Sequence, residues 1–577
     1  MRHVILIAAL FLGGRAMAAD LILHNGKIAI VDPRGTMVTA VAIDGARVEA
    51  TGSDADMLKL RNSNTRVVDL KGRTVIPGLN DSHTHVIRGG LNYNLELRWE
   101  DVRSLKEGLA LIREQVARTP KGQWVRVVGG FCEHQLAERR LPTLAELNEI
   151  APDTPVFVLH LYDRALLNRA AIAAVGYDKS TPDPMGGKIE RDASGAPTGV
   201  LLAQPNASIL YATLAKGPKL PTPQQINSTL QFMRELNQLG VTSVIDAGGG
   251  FQRYPDDYAV IEQLHKDGLM TVRIAYNLFP QVPKKELEDF RRWAASSKPG
   301  QGDDFYRLNG AGEMLVYSAA DFEDFREPRP ELPSVMEQEL RDVVSFLVQT
   351  RWPFRLHATY GESITRFLNV MESINTETPF NGLRWFFDHC ETISDADIAR
   401  VKQLGGGVAV QHRMAYQGEY FSSRYGKEMA AHAPPLRKLL AAGVPVAAGT
   451  DATRVAGYNP WASLSWLVTG KTVGGVRIYD DNRLSREEAL RLWTAAAAWF
   501  SSEEGKKGSI IAGQLADLAV LSDDYFTVPE DRIKDIHSVL TIVGGKPVYG
   551  EADFATLAPK IAPVDPSWSP VVLQRGK

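Results

Sequence analysis

The stretch Val75-Ile-Pro-Gly-Leu-Asn-Asp-Ser-His-Thr-His-Val86 decides how the chain is read. It begins as an apolar run, breaks at Pro77-Gly78 and ends on two histidines one residue apart, in a chain that holds only 12. Residues two apart on a strand share a face, so His83 and His85 can aim at one point. Two converging imidazoles at a strand end make a metal corner if other ligands meet them there, and a polar strand end if none do.

Working outward, apolar runs alternate with helix-patterned segments through the middle of the chain, which signals βα units and a parallel sheet. Strands are expected over 74–86, 241–247, 271–279, 305–316, 354–357, 383–389, 408–412 and 444–451. That pattern predicts an α/β fold, a TIM-type (β/α)8 barrel over residues 77–502. A closing helix begins at Ser485-Arg-Glu-Glu488 with a capping box. About 150 residues separate the first two strands, too many for a structureless loop. The strand-like pieces within it, 123–131, 155–161 and 186–201, predict an inserted α+β subdomain over about 92–220.

Residues 19–76 hold short β-type runs broken at Asn25-Gly26, Pro33-Arg34-Gly35 and Asp44-Gly45, and residues 503–556 repeat that style. Both ends are expected to form one small β-sandwich, followed by a loose tail over 557–577. At the start, Arg2, the apolar run Val4 to Leu12 and the small-x-small site Ala16-Met17-Ala18 read as a signal peptide over residues 1–18. An exported product, periplasmic or secreted, is expected. The apolar run is far short of the roughly 18–20 residues a span requires, and no later run approaches that length, so the mature chain should not insert in a membrane.

The 577 residues carry 65 Lys plus Arg against 68 Asp plus Glu, a net charge of -3, with no dense basic run. Nucleic acid is excluded as an expected partner, and a small-molecule substrate is favoured. Self-association is left open. Export implies an oxidising compartment, yet only Cys132 and Cys390 are present, too few for a disulfide-built scaffold. Whether those two are bridged is also left open.

The weight behind His83 and His85 comes from later strand ends. Phe354-Arg-Leu-His357 and Trp385-Phe-Phe-Asp-His389 each stop on a histidine, and Val446-Ala-Ala-Gly-Thr-Asp451 stops on a carboxylate. Four histidines and an aspartate thus fall at the expected ends of strands one, five, six and eight. Nitrogen and carboxylate ligands with an open position for water are what a hydrolytic divalent-metal site requires, with one or two Zn2+ the expected ions.

With these residues in view, the chain resembles the amidohydrolase superfamily, in particular its YtcJ-like, amidohydrolase-3 branch, which includes N-substituted formamide deformylases. The resemblance rests on "VIPGLNDSHTH", "GVTSVIDAG", "RLHA", "FFDHCE", "AAGTDA" with "NPW", and "KKGSIIAGQLADLAVL", in order along nearly the whole mature chain. It implies a barrel with metal at its C-terminal mouth, His83, His85, His357 and His389 as ligands, and Asp451 as both ligand and proton carrier. It also implies that Glu313 stands where many two-metal relatives place a carboxylated lysine, so its carboxylate would bridge two ions. A departure lies in the insert. The family's H-x4-N pattern appears here with Asp163 in the histidine's place and Asn168 kept, so Asn168 alone carries over as a substrate contact. Glu133 and His134 are further pocket candidates, and His412 at the end of strand seven is another.

The function expected is hydrolysis of a carbon–nitrogen bond in a small non-peptide, formamide-like amide by metal-activated water. Ester or lactone hydrolysis at the same centre, and a non-catalytic binding protein that retains the fold, remain alternatives.

Overall fold

The computed structural model describes residues 18–184, 186–204, 206–249, 252–322, 324–329 and 331–575. Apart from its last residue, the predicted signal peptide lies outside these. Eight parallel strands run in strict sequence order: β1 (Leu79–Thr84), β2 (Val241–Asp246), β3 (Arg273–Leu278), β4 (Tyr306–Ala311), β5 (Phe354–Ala358), β6 (Trp385–His389), β7 (Gly407–Gln411) and β8 (Val446–Gly449). The ring is drawn together where Asp451 N–H donates to the His83 carbonyl at 2.8 Å. Almost every strand residue is buried, as expected when helices cover the outer face and side chains fill the inner one. Inside, Ile245, Ala275, Phe386, Ala409 and Ala447 form one layer, and Phe500 from the short helix Ala497–Ser501 packs against them. The capping box at Ser485 is present, with Ser485 Oγ accepting from Glu488 N–H at 3.1 Å.

The opening stretch serves two sheets rather than one strand. Thr74–Pro77 lies in a six-stranded sheet between Lys27–Ala29 and Leu518–Leu521, and only after Gly78 does the chain enter β1. A Cβ on Gly78 would stand 2.1 Å from Thr242 Oγ1, so the crossing admits glycine alone. The expected strand 74–86 is therefore corrected to two short ones. A second, four-stranded sheet from Leu21–His24, Ala40–Asp44, Arg47–Gly52 and Arg66–Asp69 faces the first across a core that includes Leu23, Val41, Val75, Leu518 and Leu540.

Where the barrel meets this sandwich, buried charges are paired. Arg273 donates to both oxygens of Asp517 at 2.8 and 3.0 Å, and Lys507 Nζ lies 2.6 Å from Glu503 and 2.7 Å from Ser243 Oγ. Between β1 and β2 the chain builds a third, six-stranded sheet whose strands run from Glu96–Leu97 to Pro197–Leu202, flanked by helices such as Leu105–Arg118 and Ser208–Leu214. Cys132 and Cys390 are both buried free thiols, which answers the question of a bridge. Among the described residues no helix is long and apolar enough to cross a membrane.

Candidate metal centre

The strand ends carry their polar residues to one point. His83 Nε2 and His85 Nε2 lie 3.4 and 3.1 Å from Asp451 Oδ1. Across the mouth, His389 Nε2 lies 3.0 Å from His357 Nδ1. Glu313, two residues past β4, stands between these groups. Its Oε1 is 3.7 Å from His85 Nε2, while its Oε2 is 3.4 Å from His83 Nε2, 3.5 Å from His357 Nδ1 and 3.7 Å from His389 Nε2. Oε2 thus reaches both groups and Oε1 the β1 side, which places the carboxylate where a bridge between two metal ions would stand.

Strained backbone aims two of these side chains. His389 has φ 81° and Asp451 has φ 57°, a left-handed conformation that costs a non-glycine residue about 1–3 kcal/mol. Simple strand alternation would send Asp388 and His389 to opposite faces. The left-handed turn instead lets both side chains reach the centre: Asp388 Oδ1 lies 3.0 Å from His83 Nδ1, and Arg355 holds Asp388 through a buried ion pair. Arg355 Nη2 also reaches His83 Nδ1 at 2.6 Å. With Nδ1 engaged from below, His83 Nε2 faces the mouth. His85 is fixed similarly, its Nδ1 2.5 Å from the Gly248 carbonyl. Asp81 ties β1 to β8, accepting from His83 N–H at 3.0 Å and from Thr450 Oγ1 at 2.6 Å. Burial pushes its carboxyl up to about 6 against those bonds. Thr359 Oγ1 lies 3.2 Å from His357 Nε2, and Asp321 Oδ1 lies 3.7 Å from the same atom.

The electrostatics of the cluster call for a cation. Burial alone would raise the Glu313 and Asp451 carboxyls, yet the surrounding imidazoles, His83 foremost, hold both well below the carboxylate range. Burial and Arg355 oppose a charge on His83, but Asp388, Glu313 and Asp451 outweigh them and raise it to about 10. Burial and the Arg413 guanidinium hold His389 well below the ordinary imidazole value. His83 Nε2 and Glu313 Oε2 are buried without a hydrogen bond among the described residues, and both face the same space. Orphaned nitrogen and oxygen donors around a negative centre fit a divalent metal.

A profile of the Amidohydrolase family matches residues 66–549, from the sandwich strand Arg66–Asp69 through the whole barrel to the C-terminal strands of the sandwich. The chain belongs to that family. It is 26% identical to the N-substituted formamide deformylase of Arthrobacter pascens over 548 residues, 91% of this chain and 97% of that one. It is 24% identical to the putative amidohydrolase YtcJ of Bacillus subtilis, over 91% of this chain and 98% of the relative. In fold it is similar to an uncharacterized metal-dependent hydrolase from Pyrococcus horikoshii, with a TM-score of 0.64 at 20% identity, covering 89% of this chain and 99% of that one. A zinc-complexed atrazine chlorohydrolase from Arthrobacter aurescens shares the fold at a TM-score of 0.53 and 14% identity, covering 96% of this chain and 99% of that one. The chain is a metal-dependent amidohydrolase.

Within this amidohydrolase the remaining expected site residues fall in different places. His412 is fully buried near Asp451, with the backbone of Gly449 and Gly457 against its ring, and burial lowers it to about 4 despite the attraction of Asp451. Glu133 joins a separate cluster: its Oε2 lies 2.9 Å from His160 Nε2, whose Nδ1 is held by Asp163, and Arg326 from the β4–β5 loop reaches Asp163 at 2.8 Å. His134 packs beside Tyr420 with ring centroids 4.7 Å apart. Asn168 is corrected outright as a substrate contact. It caps the helix Arg169–Val175, accepting from Ala171 N–H and Val156 N–H at 2.9 Å, and its amide donates to the carbonyls of Ala151 and Thr154. An asparagine whose amide is spent on four backbone groups has nothing left for a ligand.

Several neighbours of the centre are absent from the sequence expectation. Phe322 stands edge-on to His357 with centroids 4.8 Å apart, Tyr162 lies 6.0 Å beyond it, and Tyr211 lies 5.8 Å beyond Tyr162. The insert thus brings two tyrosines to the wall above the ligands. Arg355 alone carried a readable signal, since it shares strand parity with His357.

Proposed function

We propose that the protein hydrolyses a carbon–nitrogen bond of a small non-peptide amide, formamide-like in its acyl part, with Zn2+ held by His83, His85, Glu313, His357, His389 and Asp451. The observation that carries this reading is Glu313, whose buried carboxylate lies within 3.7 Å of all four strand-end histidines. A divalent ion bound there supplies Lewis acidity to the carbonyl and lowers the pKa of water to about 7. Asp451, anionic and close to both β1 histidines, accepts a proton from the attacking water and delivers it to the leaving nitrogen. Asp388 and Arg355 keep His83 oriented, and the aromatic wall of Phe322, Tyr162 and Tyr211 limits water around the substrate. Support for the formamide class comes from the similarity to the Arthrobacter pascens deformylase.

The test is turnover of matched N-substituted formamides, acetamides and formate esters by protein stripped with chelator and reloaded with Zn2+. Faster hydrolysis of the formamide supports the reading. Preference for the ester would favour ester hydrolysis, and no turnover by fully loaded, folded protein would favour a binding role. In Asp451→Asn, kcat should fall about 10²- to 10⁴-fold with KM little changed and metal at least partly retained. We also propose export, on the pattern of residues 1–18. The mature protein from a periplasmic or culture fraction should then begin at Ala19, and an intact Met1 there would refute cleavage.

A further inference from the structure

Beside the centre lie two further buried cations that have no ion-pair partner among the described residues. Arg88, one turn past His85, and Arg454, three residues past Asp451, are 7% and 8% exposed. Among the described residues neither guanidinium has a carboxylate within 4.0 Å, and neither Nε makes a hydrogen bond. A buried arginine is ordinarily paired, and in this molecule Arg98, Arg273, Arg355 and Arg413 all are. Arg88 and Arg454 also repel each other, which together with burial lowers Arg454 to about 10. Two unpaired, mutually repelling buried cations are costly unless an anion visits them.

Their position relates them to the reaction. Arg88 Nη1 and His85 Nδ1 both lie 3.1 Å from the point where a side chain on Gly249 would begin, so guanidinium and imidazole are close neighbours. Tyr211 packs between the two arginines, its ring centroid 5.8 Å from the Arg88 guanidinium carbon and 4.6 Å from that of Arg454. Both arginines line a small cavity of about 90 Å3 together with Tyr211, Arg126, Gln252 and two carboxylates, Glu96 and Asp257, the latter accepting from Arg253 N–H at 2.7 Å. Glu96 is already held by Arg98, and Arg126 by the Pro218 carbonyl. The pair therefore sits on the His85 and Asp451 side of the centre, whereas Phe322 closes the His357 side.

We propose that Arg88 and Arg454 receive a carboxylate carried by the leaving amine of the substrate, an inference that rests on the amide-hydrolase reading above. The leaving nitrogen must take its proton from Asp451, so the amine half of the substrate lies on the side where the arginines are. In the balanced reaction water gives OH to the acyl carbon and H to the nitrogen as the C–N bond breaks. The products are a carboxylic acid and an amine that still bears the carboxylate. A planar carboxylate matches the guanidinium fork and fits the small cavity, and the aromatic wall accepts an apolar body between the two ends. N-acylated α-amino acids are the simplest substrates of this shape.

The experiment compares N-formylleucine with N-formylleucinamide, each as both enantiomers, on Zn2+-loaded full-length protein. Wild type should favour the carboxylate at least about tenfold in kcat/KM, expressed mainly in KM. In Arg88→Leu and Arg454→Leu that ratio should collapse toward one. If the leucine variants do not fold, Arg454→Gln, neutral and similar in length, is measured instead with the same expectation. A wild-type ratio near one, or a ratio unchanged by the variants, would overturn the subsite while leaving amide hydrolysis intact. Calorimetric titration with leucine, the amine product, reads the subsite without turnover. Its dissociation constant should rise at least about tenfold in Arg454→Leu, and an unchanged value counts against the proposal even if neither formyl compound is hydrolysed.

Discussion

The two ends of the barrel both bury charge, and they do so to opposite effect. At the sandwich end Arg273, Asp517, Lys507 and Glu503 are closed into ion pairs, and Asp517 also accepts from Gly544 N–H at 2.7 Å. At the mouth, His83 Nε2 and Glu313 Oε2 are buried without a hydrogen bond among the described residues, and two of the converging residues sit on strained backbone. Satisfied charges fix how barrel and sandwich dock, whereas unsatisfied ones leave coordination to a ligand. The same fold therefore separates stability from chemistry by distance along its strands.

The largest effect that would test this separation is at the mouth. His83→Ala or His85→Ala should reduce kcat/KM at least about 10⁴-fold, while the melting temperature of metal-stripped protein moves by no more than about 4 °C. Near-normal turnover with metal bound, or a collapse of the stripped fold, would each erase the contrast. Next comes Glu313→Ala, which should retain one metal equivalent of two by elemental analysis and lose most activity. Bicarbonate should not affect reloading of the wild type, since a glutamate needs no carbon dioxide to offer two oxygens. Two equivalents retained in the variant would remove Glu313 from between the ions.

At the other end, Asp517→Ala strands Arg273 in the interior and should cost about 3–5 kcal/mol in denaturant unfolding, with kcat per folded molecule unchanged. A large fall in kcat instead would mean that the two ends are coupled. The smallest expected effect is a pH dependence. Burial opposes ionisation of Glu503, but Lys507 and Arg307 hold its carboxyl down at about 2, below the 4.5 of a free glutamate. Because the folded value is depressed, its contribution is present above pH 4.5 and is lost as pH falls through 2. Glu503→Gln should flatten the stability curve of metal-free protein in that window, and an unchanged slope would show that the pair contributes nothing.

The barrel was legible because its strands are apolar runs spaced by helices, and His83, His357 and His389 fall inside or at the end of such runs. What was not legible follows from three-dimensional causes. The alternation rule hides Asp388, because it assumes regular φ at His389. Arg88 and Arg454 lie far apart in sequence and become a pair only when β1 and β8 meet. The assignment of Asn168 to substrate followed a family pattern, although an asparagine directly before Arg169-Ala-Ala-Ile already carries the signature of a helix cap. The split of the opening stretch was marked by Pro77-Gly78, but the partner that claims Thr74–Pro77 comes from the other end of the chain.

That joint at Gly78 has a consequence for synthesis. Thr74–Pro77 waits for Leu518–Leu521, about 440 residues further along the chain, and until then its sheet has an open edge. β1 continues directly from that unfinished strand and carries His83 and His85. Pairing over so long a sequence separation is slow, so the two β1 ligands gain a fixed platform only after the rest of the barrel has been made. A chain truncated before Leu518 would therefore carry every ligand of the centre but lack the strand that pairs with the platform of β1.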